Sequence, residues 1–200
     1  MSLMSMNGHV PCVVDVETTG TLAGWHEVIQ IACVPLNQHF EPDPNRRFHY
    51  LNTYPDHPER IDEEAVRKHG ITLESLEGCP TQARGVELFD EWFRKLDLPY
   101  GKRLVPVAHN FGFERGFLIH LLGMDGFNEC WQSHPRDTMV LGSMINDFYA
   151  WHGRKHPFPW VSLGAMCERF DIVNDNEHDA LADCLATAKL LGALMRMMGG

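Results

Sequence analysis

The sequence predicts an α/β fold, a mixed β-sheet covered by helices, on three observations. Short apolar runs rich in valine and isoleucine stand early in the chain and again near residue 105. Between and after them, apolar residues recur at helical spacing. The order is three strands, then helices interleaved with two more strands, which suits a sheet with helices on its faces. The 200 residues are enough to bury one full core, and 44% hydrophobic against 22% charged residues excludes a disordered chain.

Taken in order, Pro11–Val16 reads as a buried strand that ends in Asp15-Val16-Glu17-Thr18-Thr19-Gly20. Glu27–Val34 reads as its neighbour, and the more alternating Phe48–Tyr54 as an edge strand. Asp62–Gly70 begins with acids and closes on glycine, as helices do. Val86, Phe89, Trp92 and Phe93 give a helix within Thr81–Leu98, with Pro99 just past it. Leu104–Ala108 is a further short strand, followed by His109-Asn110 and a helix through Leu122. Arg136-Asp137-Thr138 opens a strand or turn and then an apolar helix. Pro157 and Pro159 mark a loop ending at Trp160, after which Ser162 is expected to cap a short helix through Arg169. In the last helix Leu181, Cys184, Leu185, Ala188, Leu191, Leu194, Met195 and Met198 form one stripe, stopped by Gly199 and Gly200.

Composition narrows the function classes. No apolar run reaches the roughly 18 residues of a membrane span, so membrane partners are not expected. The N-terminus lacks the charged start of a signal peptide. Met1–Leu3 precede a second methionine, Met4; residues 1–9 therefore read as a leader, partly foreign to the protein, and 10–200 as one domain. Six cysteines without a CxxC pair argue against a structural zinc site and for a reducing, cytoplasmic setting. With 27 acids against 17 bases the net charge is −10, unsuited to coating long nucleic acid. A polyanion could still be held at one point where metal ions cancel the local charge.

Such a point is suggested by Asp15 and Glu17. Strand periodicity puts both on one face, about 7 Å apart, where they repel each other and resist burial. A divalent cation with hard oxygen ligands, magnesium or manganese, resolves both problems. A strand end emerging into solvent is the alternative. Near the other terminus, in His178-Asp179-Ala180-Leu181-Ala182-Asp183, Asp183 opens the last helix and His178 sits just before its first turn. A histidine near neutral pKa is a natural general base for water. The alternative is an ordinary exposed histidine in an acid-rich helix start. A third segment, Ala108-His109-Asn110-Phe111-Gly112-Phe113-Glu114, runs an apolar strand into a helix that carries an acid among aromatics.

Together, in this order and at these intervals, the three segments resemble the motifs of the DEDDh (DnaQ-like) 3′→5′ exonucleases, a family that includes polymerase proofreading subunits, ribonuclease T and oligoribonuclease. Asp137-Thr138 and Ser162–Cys167 look like the segments that connect those motifs, and the resemblance runs from about residue 11 to 198. It implies a ribonuclease H-like fold, a mixed five-stranded sheet flanked by helices. It further implies two Mg2+ or Mn2+ ions held by Asp15, Glu17, Glu114 and Asp183, with His178 deprotonating the attacking water. The related subtype has a tyrosine where this chain has Asp179, so the histidine subtype fits better. The family's second motif usually has aspartate where Glu114 stands; the longer side chain keeps the charge and bears on affinity for the second metal.

The implied activity is release of nucleoside monophosphates from single-stranded DNA or RNA 3′ ends, and a homodimer is compatible with the family. The alternative is a catalytically weakened nucleic-acid-binding or protein-interaction module. Phosphodiester cleavage needs an activated water, a stabilised oxyanion and a neutralised leaving oxygen, which two metals about 4 Å apart supply. Around this centre Thr18, Thr19, Trp25, His109 and Asn110 are candidate substrate contacts. For the threonines turn chemistry explains the sequence equally well, for Trp25 folding onto the sheet edge does, and His109-Asn110 also suit support of a strand–helix turn. The basic stretch His152–His156, bordered by Trp151, Phe158 and Trp160, suits either a solvated loop with aromatic anchors or a single-strand contact.

Overall fold

The computed structural model describes residues 6–199; of the expected leader, residues 1–5 lie outside the described residues, as does Gly200. Five strands form one mixed sheet in the order β3-β2-β1-β4-β5. They are β1 (Val10–Thr18), β2 (Val28–Pro35), β3 (His49–Asn52), β4 (Leu104–Ala108) and β5 (Arg136–Asp137). β2 is buried along its whole length, which explains its unbroken apolar sequence. β3 is one edge, with His49 buried, Tyr50 exposed and Leu51 and Asn52 in between.

Six α-helices cover the sheet: α1 (Glu63–His69), α2 (Gln82–Lys95), α3 (Phe111–Cys130), α4 (Thr138–Trp151), α5 (Leu163–Glu168) and α6 (Ala180–Gly199). On one face Cys12, Val14 and Val16 of β1 pack with Phe89 and Trp92 of α2 and Phe117 and Leu118 of α3. On the other, Val13 meets Ala180, Cys184, Ala188 and Leu191 of α6. Met6 joins that second core, so the packed body begins before residue 10.

Three details differ from the sequence reading. α3 does not stop at Leu122: it breaks at Gly123, where φ is 71°, and resumes to Cys130. Ser162 precedes α5 but makes no side-chain cap bond. On α6 the buried surface is wider than one stripe, because Ala186, Leu190 and Leu194 also pack against α4 and α5, while Met195 and Met198 stay exposed. The six cysteines are free thiols, five of them buried.

β1 pairs with β4 only over Val10–Val13, whereas its antiparallel pairing with β2 continues to Thr18. The last five of the nine residues of β1, Val14–Thr18, therefore lie beyond its pairing with β4, where the chain turns into α3. A register shift between Glu17 and Thr18 bends the strand end further. A cleft of about 630 Å³ opens there.

Candidate active site

The cleft collects residues from β1, α1, the β4–α3 turn and the start of α6. Asp15, Glu17, Glu114, His178 and Asp183 all line it. Asp15 and Glu17 occupy the α6 face of β1, as period two requires, and are half-buried. Glu114 comes from the first turn of α3 and is buried, with no hydrogen-bond partner for Oε2. Ligand atoms of Glu17, His178 and Asp183 all lie within 4.8 Å of one another.

The start of α6 is held from both sides. Asp179 accepts from Ala182 N at 3.0 Å and from the Tyr50 hydroxyl at 2.6 Å, and Gln30 Oε1 accepts from Ala180 N at 2.7 Å. Asp183 accepts from Asn174 Nδ2 at 2.5 Å and from His178 N at 3.2 Å. His178 adopts a left-handed backbone, φ 66°, which turns the chain sharply into the helix.

Crowding of the acids shows in their proton affinities. Burial raises Asp15 well above the usual carboxylate range, and Glu114, Glu17 and Asp183 add to the effect. Burial and then the Asp183 charge push Glu17 up to about 8, with Lys68 opposing. Glu114 also rises to about 8, through burial and the charges of Asp137 and Glu17. Asp183 is raised by burial, which its bonds from Asn174 and His178 partly offset. The donor set is hard oxygen plus one imidazole, and one buried oxygen is unpartnered. That combination fits divalent cations of the magnesium or manganese kind.

The expected substrate contacts divide. Thr18, His109 and Asn110 line the cleft; Thr19 and Trp25 do not. Thr18 Oγ1 donates to Gly20 O at 2.6 Å. Thr19 is a correction: it is fully buried, its hydroxyl accepts from Glu27 N, its N–H donates to Glu27 O and its carbonyl accepts from Asp62 N. Trp25 is exposed outside the cleft, with the Arg60 guanidinium 4.2 Å over its ring. Gly20 is required between them, because a Cβ there would lie 2.6 Å from His26 and Asp62 side-chain atoms.

His109 Nδ1 pairs with Thr138 Oγ1 at 2.9 Å; because that hydroxyl donates to Ala108 O, the imidazole is the donor. Its Nε2 is buried without a partner, and burial lowers its pKa. Asn110 takes a left-handed φ of 81° at the head of α3. Asp137 accepts from Asn110 N and Phe111 N of one helix and from Met139 N and Val140 N of the next. Sequence reasoning did not single out that double cap, although an aspartate before an apolar helix is a capping signal. It also passed over Lys68, His69, Asn174 and Glu177 in the cleft wall. A larger hollow of about 780 Å³, between Phe40 and α6, brings together none of the expected site residues.

No helix among the described residues is long and apolar enough to cross a membrane. Over 184 residues the chain is 28% identical to the PolC-type DNA polymerase III of Halalkalibacterium halodurans, covering 92% of this chain and 11% of the polymerase. The corresponding enzyme of Bacillus subtilis gives the same figures. The chain thus spans about a tenth of the length of these relatives. Among solved structures, an exonuclease I–single-stranded DNA complex from E. coli superposes with a TM-score of 0.75 at 18% identity, over 96% of this chain and 41% of that one. A 3′-exonuclease that recognises a histone mRNA stem-loop gives 0.67 at 14%, over 94% and 64%. Both likenesses show the fold, the α/β architecture with a five-stranded mixed sheet shared by ribonuclease H-like exonucleases. The exonuclease (RNase_T) family model matches residues 12–191, nearly the whole chain, and the chain belongs to that family.

Proposed function

We propose that this chain is a metal-dependent 3′→5′ exonuclease, which hydrolyses the terminal phosphodiester of single-stranded DNA or RNA and releases nucleoside monophosphates. The observation that carries the reading is the convergence of four carboxylates and His178 in one cleft, with Glu114 Oε2 buried and unpartnered. A 3′-exonuclease among the structural neighbours supports the direction of attack.

Asp15, Glu17, Glu114 and Asp183 would hold the divalent ions. When bound, such ions supply Lewis-acid polarisation of the phosphoryl group and acidify a water. The protein's own groups do the remainder. Asp15, Glu17, Glu114 and Asp183 fix the charge that an acidic chain must cancel before it accepts a phosphate. His178, whose backbone N–H donates to Asp183, takes the proton from the attacking water at its imidazole. The Thr18–Gly20 turn, closed by its own 2.6 Å hydrogen bond, offers a rigid seat for the terminal nucleotide. Among the described residues Lys68 is the one lysine or arginine lining the cleft, and it would face the phosphate's charge.

Oligomers of DNA and RNA labelled at either end, incubated with Mg2+, Mn2+ or chelator, test the reading. A 5′ label should give a descending ladder and a 3′ label an immediate mononucleotide, both abolished by chelator. A 3′-phosphate should suppress the reaction. Efficient cleavage of a circular single strand would overturn the assignment.

A further inference from the structure

Phe148 to Cys167 is a run of twenty residues without an aspartate or glutamate, the longest such run in a chain with 27 acids. It holds His152, Arg154, Lys155 and His156, all exposed. Among the described residues neither Arg154 nor Lys155 makes an ion pair. Leading into the run, α4 turns Val140, Met144, Phe148 and Trp151 to solvent, Trp151 being 88% exposed. The spacing of four, four and three aligns them as one stripe, roughly 16 Å long at 1.5 Å per residue. Trp160, 76% exposed, follows the basic loop.

This surface is held rigidly. Gly153 takes φ 66° at the end of α4, with Gly153 N on Ala150 O and Arg154 N on Tyr149 O, a paired closure that fixes where Arg154 and Lys155 leave the helix. Phe158 is buried, and Asn146 grips its N–H at 3.1 Å and its carbonyl at 2.7 Å, pinning the loop back onto α4. Both ends of the unit reach the candidate active site: Met139 of α4 and Ser162, Leu163 and Gly164 after the loop line the cleft.

We propose that this face carries the single strand upstream of the nucleotide held in the cleft, with Trp160 and Trp151 stacking on bases and Arg154 and Lys155 meeting phosphates. The proposal rests on the exonuclease reading of the cleft and adds where its polymer leaves. A single strand bound at its 3′ end must cross one rim. The α1 rim presents Asp62 and Glu64 to the cleft, whereas this one has no acid of its own from Phe148 to Cys167, flanked by Glu177 beside Gly164 and by Asp147 on α4. Charge complementarity therefore favours a polyanion here, and exposed tryptophans suit unpaired bases of any sequence.

The test measures binding of a 5′-labelled 20-nucleotide oligothymidylate by fluorescence anisotropy, in chelator and over a salt series. Its subjects are the wild type, an Arg154→Ala/Lys155→Ala variant and a Trp151→Ala/Trp160→Ala variant. The cation variant should bind about ten-fold more weakly, and its log–log salt slope should fall by about 1.4, from 0.7 per phosphate contact on a single strand. The tryptophan variant should also lose about ten-fold or more, without a change of slope. With Mg2+ or Mn2+, both variants should turn over a dinucleotide as the wild type does while KM for the 20-mer rises. Wild-type binding and slope in both variants would overturn the proposal. So would a tryptophan variant that binds the strand normally but dissociates a dimer, because the face would then be a protein interface. A wild type that binds the strand through these residues yet hydrolyses neither substrate would instead sink the exonuclease reading and leave the strand-binding face standing.

Discussion

Val13 and Asp15 sit two residues apart on the same face of the same strand, under the same helix. Val13 belongs to a closed core with Ala32, Val107 and Cys184. Asp15 is crowded by Glu17, Glu114 and Asp183, and its proton affinity is raised. What separates them is topology. Val13 is the last residue of β1 to pair with β4. One step beyond, the neighbouring chain has turned away into α3, and the space fills with acids from three elements. The first half of β1 thus lowers its free energy by burial alone, at about 25 cal/mol per Å² of apolar surface. The second half accumulates repulsion that the protein's own cations do not cancel. Local stability is given up where a ligand can restore it, a pattern common at functional sites.

The largest effect expected from breaking this contrast is on turnover. Asp15→Asn or Asp183→Asn should abolish nucleotide release, because each removes a ligand charge; Asp183→Asn also gives up one of the two hydrogen bonds the carboxylate accepts from Asn174 and His178. In chelator the Asp15→Asn protein should unfold at a temperature no lower than wild type, since one repelling charge is gone. Rates on labelled oligomers and calorimetric midpoints check the two halves of that statement, and wild-type turnover in both variants would refute it.

His178→Ala should slow the reaction about 10²–10⁴-fold, the range for a positioned general base. KM should change little, and higher pH should restore part of the rate by supplying hydroxide. An unchanged rate would move the base role to His109, which lines the same cleft.

Glu114 offers a finer cut. Glu114→Gln should be severely impaired, whereas Glu114→Asp should keep activity or raise it, because it preserves the charge and shortens the arm. The reading is the metal concentration at half-maximal rate, which should shift before the saturated rate does. Complete loss in Glu114→Asp would show that α3 is set to suit the longer side chain.

The smallest effect sharpens the contrast from the apolar side. Val13→Ala should cost about 1.5–3 kcal/mol of stability through lost burial and the cavity it leaves. Metal dependence of the rate should stay at the wild-type value. A changed metal requirement would mean that the two halves of the strand are not independent.

Much of this was legible from residue order. The strands and helices follow apolar periodicity closely, and Leu104–Ala108 ends where the sequence reading ended it. Asp15 and Glu17 stood out because period two puts them on one face of an otherwise apolar strand, and Asp183 and His178 because they open a strongly patterned helix. What joined them with Glu114 into one expected site was the resemblance of the three segments to the exonuclease motifs. What could not be read were residues positioned by loops. Asn174 reaches Asp183 across a nonregular segment, and Lys68 and His69 arrive from a helix whose orientation no periodicity encodes. The surroundings of Thr19 and Trp25 were hidden for the same reason. The β1–β2 turn uses the hydroxyl of Thr19 internally, and Trp25 finds Arg60, thirty-five positions away.

The central claim is that the acidic end of β1 is built for divalent cations, and thermal unfolding against pH tests it most directly. Glu17 and Glu114 titrate near 8 in the folded chain, against about 4.5 when unfolded. A raised folded-state pKa means that stability is fully present below pH 4.5 and is lost as pH rises through 8. In chelator the midpoint contribution from this site should therefore fall between pH 6 and pH 8.5, with each kcal/mol worth about 2–4 °C for a chain of this size. Saturating Mn2+ should remove most of that fall in the wild type and much less of it in Asp15→Asn. A midpoint indifferent to Mn2+ at pH 8.5, or raised equally in both proteins, would contradict the account.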